Sequence, residues 1–186
     1  MKIGRITLAD TGLSTEDKWG PEIEKQITRI FEERSQYISV VVHNREELKA
    51  ALLRLCDQEK CPLVVTTGGT GPSPRDIVPE VTQEIIEREL PGFGETVRHY
   101  SFHRGPVALL SRAVSGVRGE SLIVNLPSRP TAIYGCLKLL REAIVECLEQ
   151  IGGVRYTLFV DPVVIPIEKF LPFLKRFRIK PDPRWE

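Results

Sequence analysis

Leu63-Val64-Val65-Thr66-Thr67-Gly68-Gly69-Thr70-Gly71-Pro72-Ser73-Pro74-Arg75-Asp76 runs an apolar segment straight into a turn rich in glycine and hydroxyls. Leu63, Val64 and Val65 predict a short strand buried on both faces. Gly68, Gly69 and Gly71 let the chain turn sharply and let another group approach the backbone closely. Amide groups gathered in this way make a nest for phosphate or another oxyanion. The hydroxyls of Thr66, Thr67 and Thr70 can add donors to it. The string is neither a Walker A sequence nor G-x-G-x-x-G, and a plain tight turn is its simplest alternative. Arg75 carries a planar fork suited to phosphate or carboxylate. Asp76, beside phosphates, is suited to Mg²⁺, which takes one or two carboxylates plus substrate oxygens. The same two residues also read as a surface pair of opposite charge.

Outward from this loop, apolar runs alternate with helical spacing. Ile3, Ile6 and Leu8 predict a first strand. Ile23, Ile27, Ile30 and Phe31 follow helical spacing behind Pro21. Tyr37–Val42 is unbroken and β-branched, which predicts a second strand covered on both faces. Asn44 predicts an N-cap for a helix over Glu46–Cys56. Pro79 opens another helix with Val81, Ile85 and Ile86 inward, and Pro91–Arg104 predicts a further one after a short break. Leu122, Ile123 and Val124 form a strand ending in Asn125-Leu126-Pro127. Thr131–Gln150 is a long helix, and Arg155–Val160 is suited to a last edge strand. The alternation predicts an α/β fold, a mostly parallel sheet with helices on both faces in three α/β/α layers. Ligands of such sheets sit outside the carboxyl ends of the strands. The organisation expected is one domain over residues 1–160, then a Pro-rich C-terminal extension over 161–186.

The 186 residues include 26 basic and 25 acidic side chains, so no global basic field favours nucleic acid as a partner. No apolar run reaches the roughly 18 residues of a membrane span, and the N-terminus lacks signal-peptide architecture. Cys56, Cys61, Cys136 and Cys147 form no C-x-x-C pair and read as buried thiols in a reducing, cytoplasmic setting. His43, His99 and His103 form no metal-like grouping.

Other polar positions flank the strands. Asp10 ends the first strand, where it can meet a ligand or simply begin a loop. Glu95, in Pro91–Glu95, can accept from a ribose or a base, or serve as a first-turn helix carboxylate. Ser111, Arg112 and Asn125 sit next to apolar strands. Asn125 offers a donor and an acceptor to a heterocycle edge, or else caps a turn.

Three stretches together resemble a known family: LVVTTGGTGPSPRDIVPE, then LPGFGETVR, then LLSRAVSGVRGESLIVNLPSRP. They are similar to the molybdopterin adenylyltransferases of molybdenum cofactor biosynthesis, over roughly residues 2–150 in order. The resemblance implies a doubly wound, typically trimeric α/β domain that joins molybdopterin to the AMP part of ATP with Mg²⁺. It implies molybdopterin and ATP as partners, and contact with other molybdenum cofactor enzymes. By position, Thr67, Gly68, Gly69, Thr70 and Gly71 would meet phosphate and pterin. Asp76, with Arg75, would hold metal or orient phosphates, and Glu95 would lie on the nucleotide side. Ser111, Arg112, Asn125 and Pro127 would help form the pterin pocket. Two positions depart from the family pattern. The usual Pro-Asp pair after the second strand is here Val42-His43-Asn44, with Glu46 and Glu47 the nearest carboxylates, and Ser128 replaces the Gly after NLP. The departures keep open a pterin- or nucleotide-binding protein with little turnover, and a CinA-like nucleotide pyrophosphatase is a further alternative.

Overall fold

A computed structural model describes residues 1–9, 17, 20–29, 35–103, 105–154 and 156. Asp10, the proposed last strand and the C-terminal extension therefore lie outside the described residues, as do Ile30 and Phe31.

The strands are β1 (Lys2–Leu8), β2 (Gln36–Val42), β3 (Leu63–Thr67), β4 (Arg88–Glu89), β5 (Ser115–Arg118) and β6 (Ser121–Leu126). They form a six-stranded sheet in the order β2-β1-β3-β6-β5-β4. The first four in that order are parallel, while β5 and β4 add on antiparallel. The helices are α1 (Gly20–Thr28), α2 (Arg45–Leu53), α3 (Val78–Ile85), α4 (Pro91–Phe102) and α5 (Pro130–Gly152).

Side chains of a strand alternate between faces, and here they feed two separate cores. Leu63, Val65, Leu122, Val124 and Leu126 pack with α1, α4 and α5 on one face. Val64 and Ile123 pack with Leu48, Leu52, Val81 and Ile85 of α2 and α3 on the other. The three-layer α/β/α expectation is met. No helix among the described residues is long and apolar enough to cross a membrane.

Three sequence expectations need correction. Tyr37–Val42 is not covered on both faces. It is the edge strand β2, and only Val42 in it is buried. A continuous β-branched run is as compatible with an edge as with an interior, because burial depends on which strands flank it. The helix after Asn44 is α2 continued by a π-helical turn over Arg54–Gln58. The antiparallel hairpin of β5 and β6 was not foreseen, since Ser115–Arg118 has only one large apolar residue.

Candidate functional site

The chain leaves β1 towards β2 on one side and returns to β3 on the other. That reversal opens a crevice at the carboxyl ends of β1 and β3. The Gly-rich loop fills its rim. Gly68 and Gly69 both take positive φ, +85° and +61°. A Cβ on Gly69 would run into Leu8 Cδ2 and stand 3.0 Å from Val78 Cγ2. The residue must therefore be glycine on two counts, conformation and space.

The loop is fastened through its carbonyls. The Val78 N–H donates to Gly69 O (3.2 Å) and the Arg112 N–H to Thr70 O (2.7 Å). The Arg112 guanidinium donates from Nε to Gly71 O (2.8 Å) and from its NH2 to Asp76 O (2.6 Å). Its NH1 pairs with Glu80. Burial pushes the Glu80 carboxyl up, but the Arg112 hydrogen bond and charge prevail and hold it below the ordinary glutamate range. The amides of Gly69, Thr70 and Gly71 are left without a partner among the described residues, the condition for an anion nest. Asp76 closes the loop, its Oδ2 accepting from the Ser73 N–H at 3.0 Å.

A cavity of about 350 Å³ is lined by Leu8, Ala9, His43, Gly68, Gly69, Arg75, Asp76, Ile77 and Ser128. It collects the ends of β1, β2, β3 and β6. A second hollow, about 440 Å³, lies beyond the loop against Pro72, Pro74, Asp76, Glu80 and Arg112. Asp76 and Ile77 line both.

The structure therefore brings Gly68, Gly69, Arg75 and Asp76 together, with Thr70 and Gly71 in the same loop. Other expected residues lie elsewhere. Asn125 was expected at the ligand, yet it is buried. Its Nδ2 donates to Thr66 Oγ1 and Thr82 Oγ1, both at 3.0 Å, and its Oδ1 accepts from the Val114 N–H at 3.2 Å. It clamps β3, α3 and the entry to β5. That also removes the Thr66 hydroxyl from the loop. Thr67 is buried too, its hydroxyl facing Thr7 and the Ile6 carbonyl. Glu95 is exposed on α4 and lines neither cavity, and Ser111 and Pro127 also line neither. Arg112 sits behind the loop as its strut. Glu47 does not line the first cavity. Its carboxylate accepts from the His43 N–H (2.8 Å) and Asn44 Nδ2 (2.9 Å) as part of the α2 cap. Leu8, Ala9, Ile77 and Glu80 were not singled out in the sequence. Leu8 and Ile77 look like ordinary core residues there, so only strand order could have placed them. No cluster of three or more His, Cys, Asp or Glu suited to a metal exists among the described residues.

Comparison with known proteins identifies the family. Residues 6–146 match a family model described as "Probable molybdopterin binding domain". A molybdopterin adenylyltransferase of Haemophilus influenzae is 34% identical, over 92% of this chain and 93% of its own. One of Helicobacter pylori is 45% identical over 63% of this chain, and the match spans 66% of that relative's length. The crystal structure of the molybdopterin biosynthesis enzyme MoaB from Thermus thermophilus superposes with a TM-score of 0.74 at 30% identity. It covers 84% of this chain and 99% of that one. A doubly wound sheet and matches over most of the chain place this protein in the molybdopterin-binding family that contains the molybdopterin adenylyltransferases.

Proposed function

We propose that this chain is a molybdopterin adenylyltransferase, moving AMP from ATP to molybdopterin and releasing pyrophosphate. The observation that carries the reading is the crevice itself: the backbone of Gly68 and Gly69, with the Gly69 amide unpaired among the described residues, together with Arg75 and Asp76 around one cavity at the ends of β1 and β3. An oxygen of the molybdopterin phosphate attacks the α-phosphorus of ATP. A new P–O bond forms, the α–β bond breaks, and pyrophosphate leaves with the electron pair. The attacking oxygen is already anionic, so no side-chain nucleophile is required. The protein's part is positioning and charge neutralisation. The amides of Gly69, Thr70 and Gly71 receive phosphate oxygens, and Arg75 offsets charge on the leaving pyrophosphate. Arg112 keeps the loop's carbonyls turned back, so its amides face outward.

Asp76 fits a Mg²⁺ requirement. It faces the cavity, and hydrogen bonding to Ser73 uses one of its oxygens. One carboxylate with phosphate oxygens is a usual Mg²⁺ donor set, and the ion would supply further charge neutralisation at the phosphates. The reading extends to a cytoplasmic homotrimer that hands its product to other molybdenum cofactor enzymes. The exposed Val107, Leu109 and Leu110 offer apolar surface for subunit contact.

The test is pyrophosphate release on mixing the full chain with ATP, Mg²⁺ and molybdopterin. Release that depends on all three supports the reading. Tight pterin binding with no release would replace it with a binding protein, and hydrolysis of a dinucleotide without pterin would replace it with a pyrophosphatase.

A further inference from the structure

We propose that His43 is a ligand-binding residue of the cavity, its imidazole donating to an anionic phosphate oxygen from the β2 side. This rests on the cavity being the ligand site, as argued above.

Among the cavity's lining residues, Arg75 and Asp76 carry opposite formal charges that cancel. Leu8, Ala9 and Ile77 are apolar, Ser128 gives one hydroxyl, and Gly68 and Gly69 give backbone. The residue at position 43 thus adds to or subtracts from the hold of this set on an anion. Its root is fixed. The Ala9 N–H donates to Val42 O at 2.9 Å, joining the ends of β1 and β2. The His43 N–H donates to Glu47 Oε2 at 2.8 Å, and the other Glu47 oxygen takes Asn44 Nδ2 at 2.9 Å. Asn44 Oδ1 in turn accepts from the Glu47 N–H at 2.9 Å. The nearest carboxylate on α2 is therefore committed to the helix cap. Among the described residues no hydrogen bond uses the imidazole ring, which is exposed. An uncommitted donor on a pinned backbone, at the mouth of an anion-ready cavity, is placed to meet phosphate.

The experiment is calorimetric titration of ATP, in EDTA, into the full-length wild type, His43→Gln, His43→Ala, His43→Asp and Gly69→Val. Position 43 is exposed, and a thermal melt of each variant checks that it folds. Gln keeps a donor and should bind within about threefold of wild type, while Ala should lose about tenfold, the size of one charge-assisted hydrogen bond. Asp should lose more than Ala, by a margin that shrinks in high salt as the repulsion is screened. If Ala and Asp bind like wild type while Gly69→Val abolishes binding, the role of His43 is overturned and the site stands. If Gly69→Val binds ATP like wild type, the ligand is not in this cavity and both readings fall. Wild type that binds no ATP in EDTA also overturns the proposal.

Discussion

Asp76 and Asn125 are both polar residues in the loops expected to meet the ligand, but their surroundings give them different work. Asp76 lines a cavity on each of two sides and uses one oxygen to hold Ser73. Asp76→Asn keeps an acceptor for that bond and loses only the charge. Pyrophosphate release should fall by about a hundredfold or more, with pterin binding within about threefold; equal losses in both would contradict this. Asn125 is surrounded by protein and spends its amide on three partners. Asn125→Ala should lower unfolding free energy by about 2–4 kcal/mol in a denaturant titration, because it strands buried donors and acceptors. Arg112 lies between these cases. Arg112→Met removes the ties to Gly71, Asp76 and Glu80. Ligand affinity should drop at least tenfold, because a loop without its strut loses the fixed aim of its amides.

At the scale of elements, sequence and structure agree where local chemistry decides and part where partners are distant. Asn44 caps α2 as expected, its Oδ1 accepting from the Glu47 N–H, and the Glu47 carboxylate reaches back to the His43 N–H and Asn44 Nδ2. β3 and its loop were legible because an apolar run followed by glycines signals itself within a dozen residues. The role of Asn125 was not, since its partners Thr66, Thr82 and Val114 are distant in the chain. β5 was not legible either. Its pairing comes from β6, and Arg118 anchors it by bonding Asp57 of the π-helical turn at 2.7 Å. The hydrogen bond from Arg118, with its charge, holds the Asp57 carboxyl below the ordinary aspartate range. Its contribution is therefore fully present above that ordinary range and disappears as pH falls through the lowered value. Asp57→Asn should melt lower than wild type at neutral pH and converge with it in strong acid. A melting difference that persists there would show that the pair acts through packing.

For the whole molecule, the sheet order was inferable only in outline. Alternating strands and helices imply parallel pairing and a ligand crevice at the carboxyl edge, and a cavity lies at that edge. Which strand ends meet is a matter of topology, so Leu8, Ala9 and Ile77 joined the cavity without any local signal. Burial also governs the thiols. Cys56, Cys61 and Cys136 are buried, and burial pushes Cys56 up to about 11 and raises Cys61. At pH 8 the native protein should react slowly with a thiol reagent at these three positions and fully once denatured. Rapid native labelling of Cys56 would contradict the two-sided core.

β1 is made first yet lies inside the sheet, where Ile3 stands beside Tyr37 on one side and Leu63 on the other. During synthesis its inner edge waits until about sixty more residues have left the ribosome, and β3 in turn waits for Leu122 of β6. A nascent chain interrupted before that point displays sticky apolar strands with open edges. The arrangement that builds the crevice therefore makes the folding of β1 wait on chain that is translated much later.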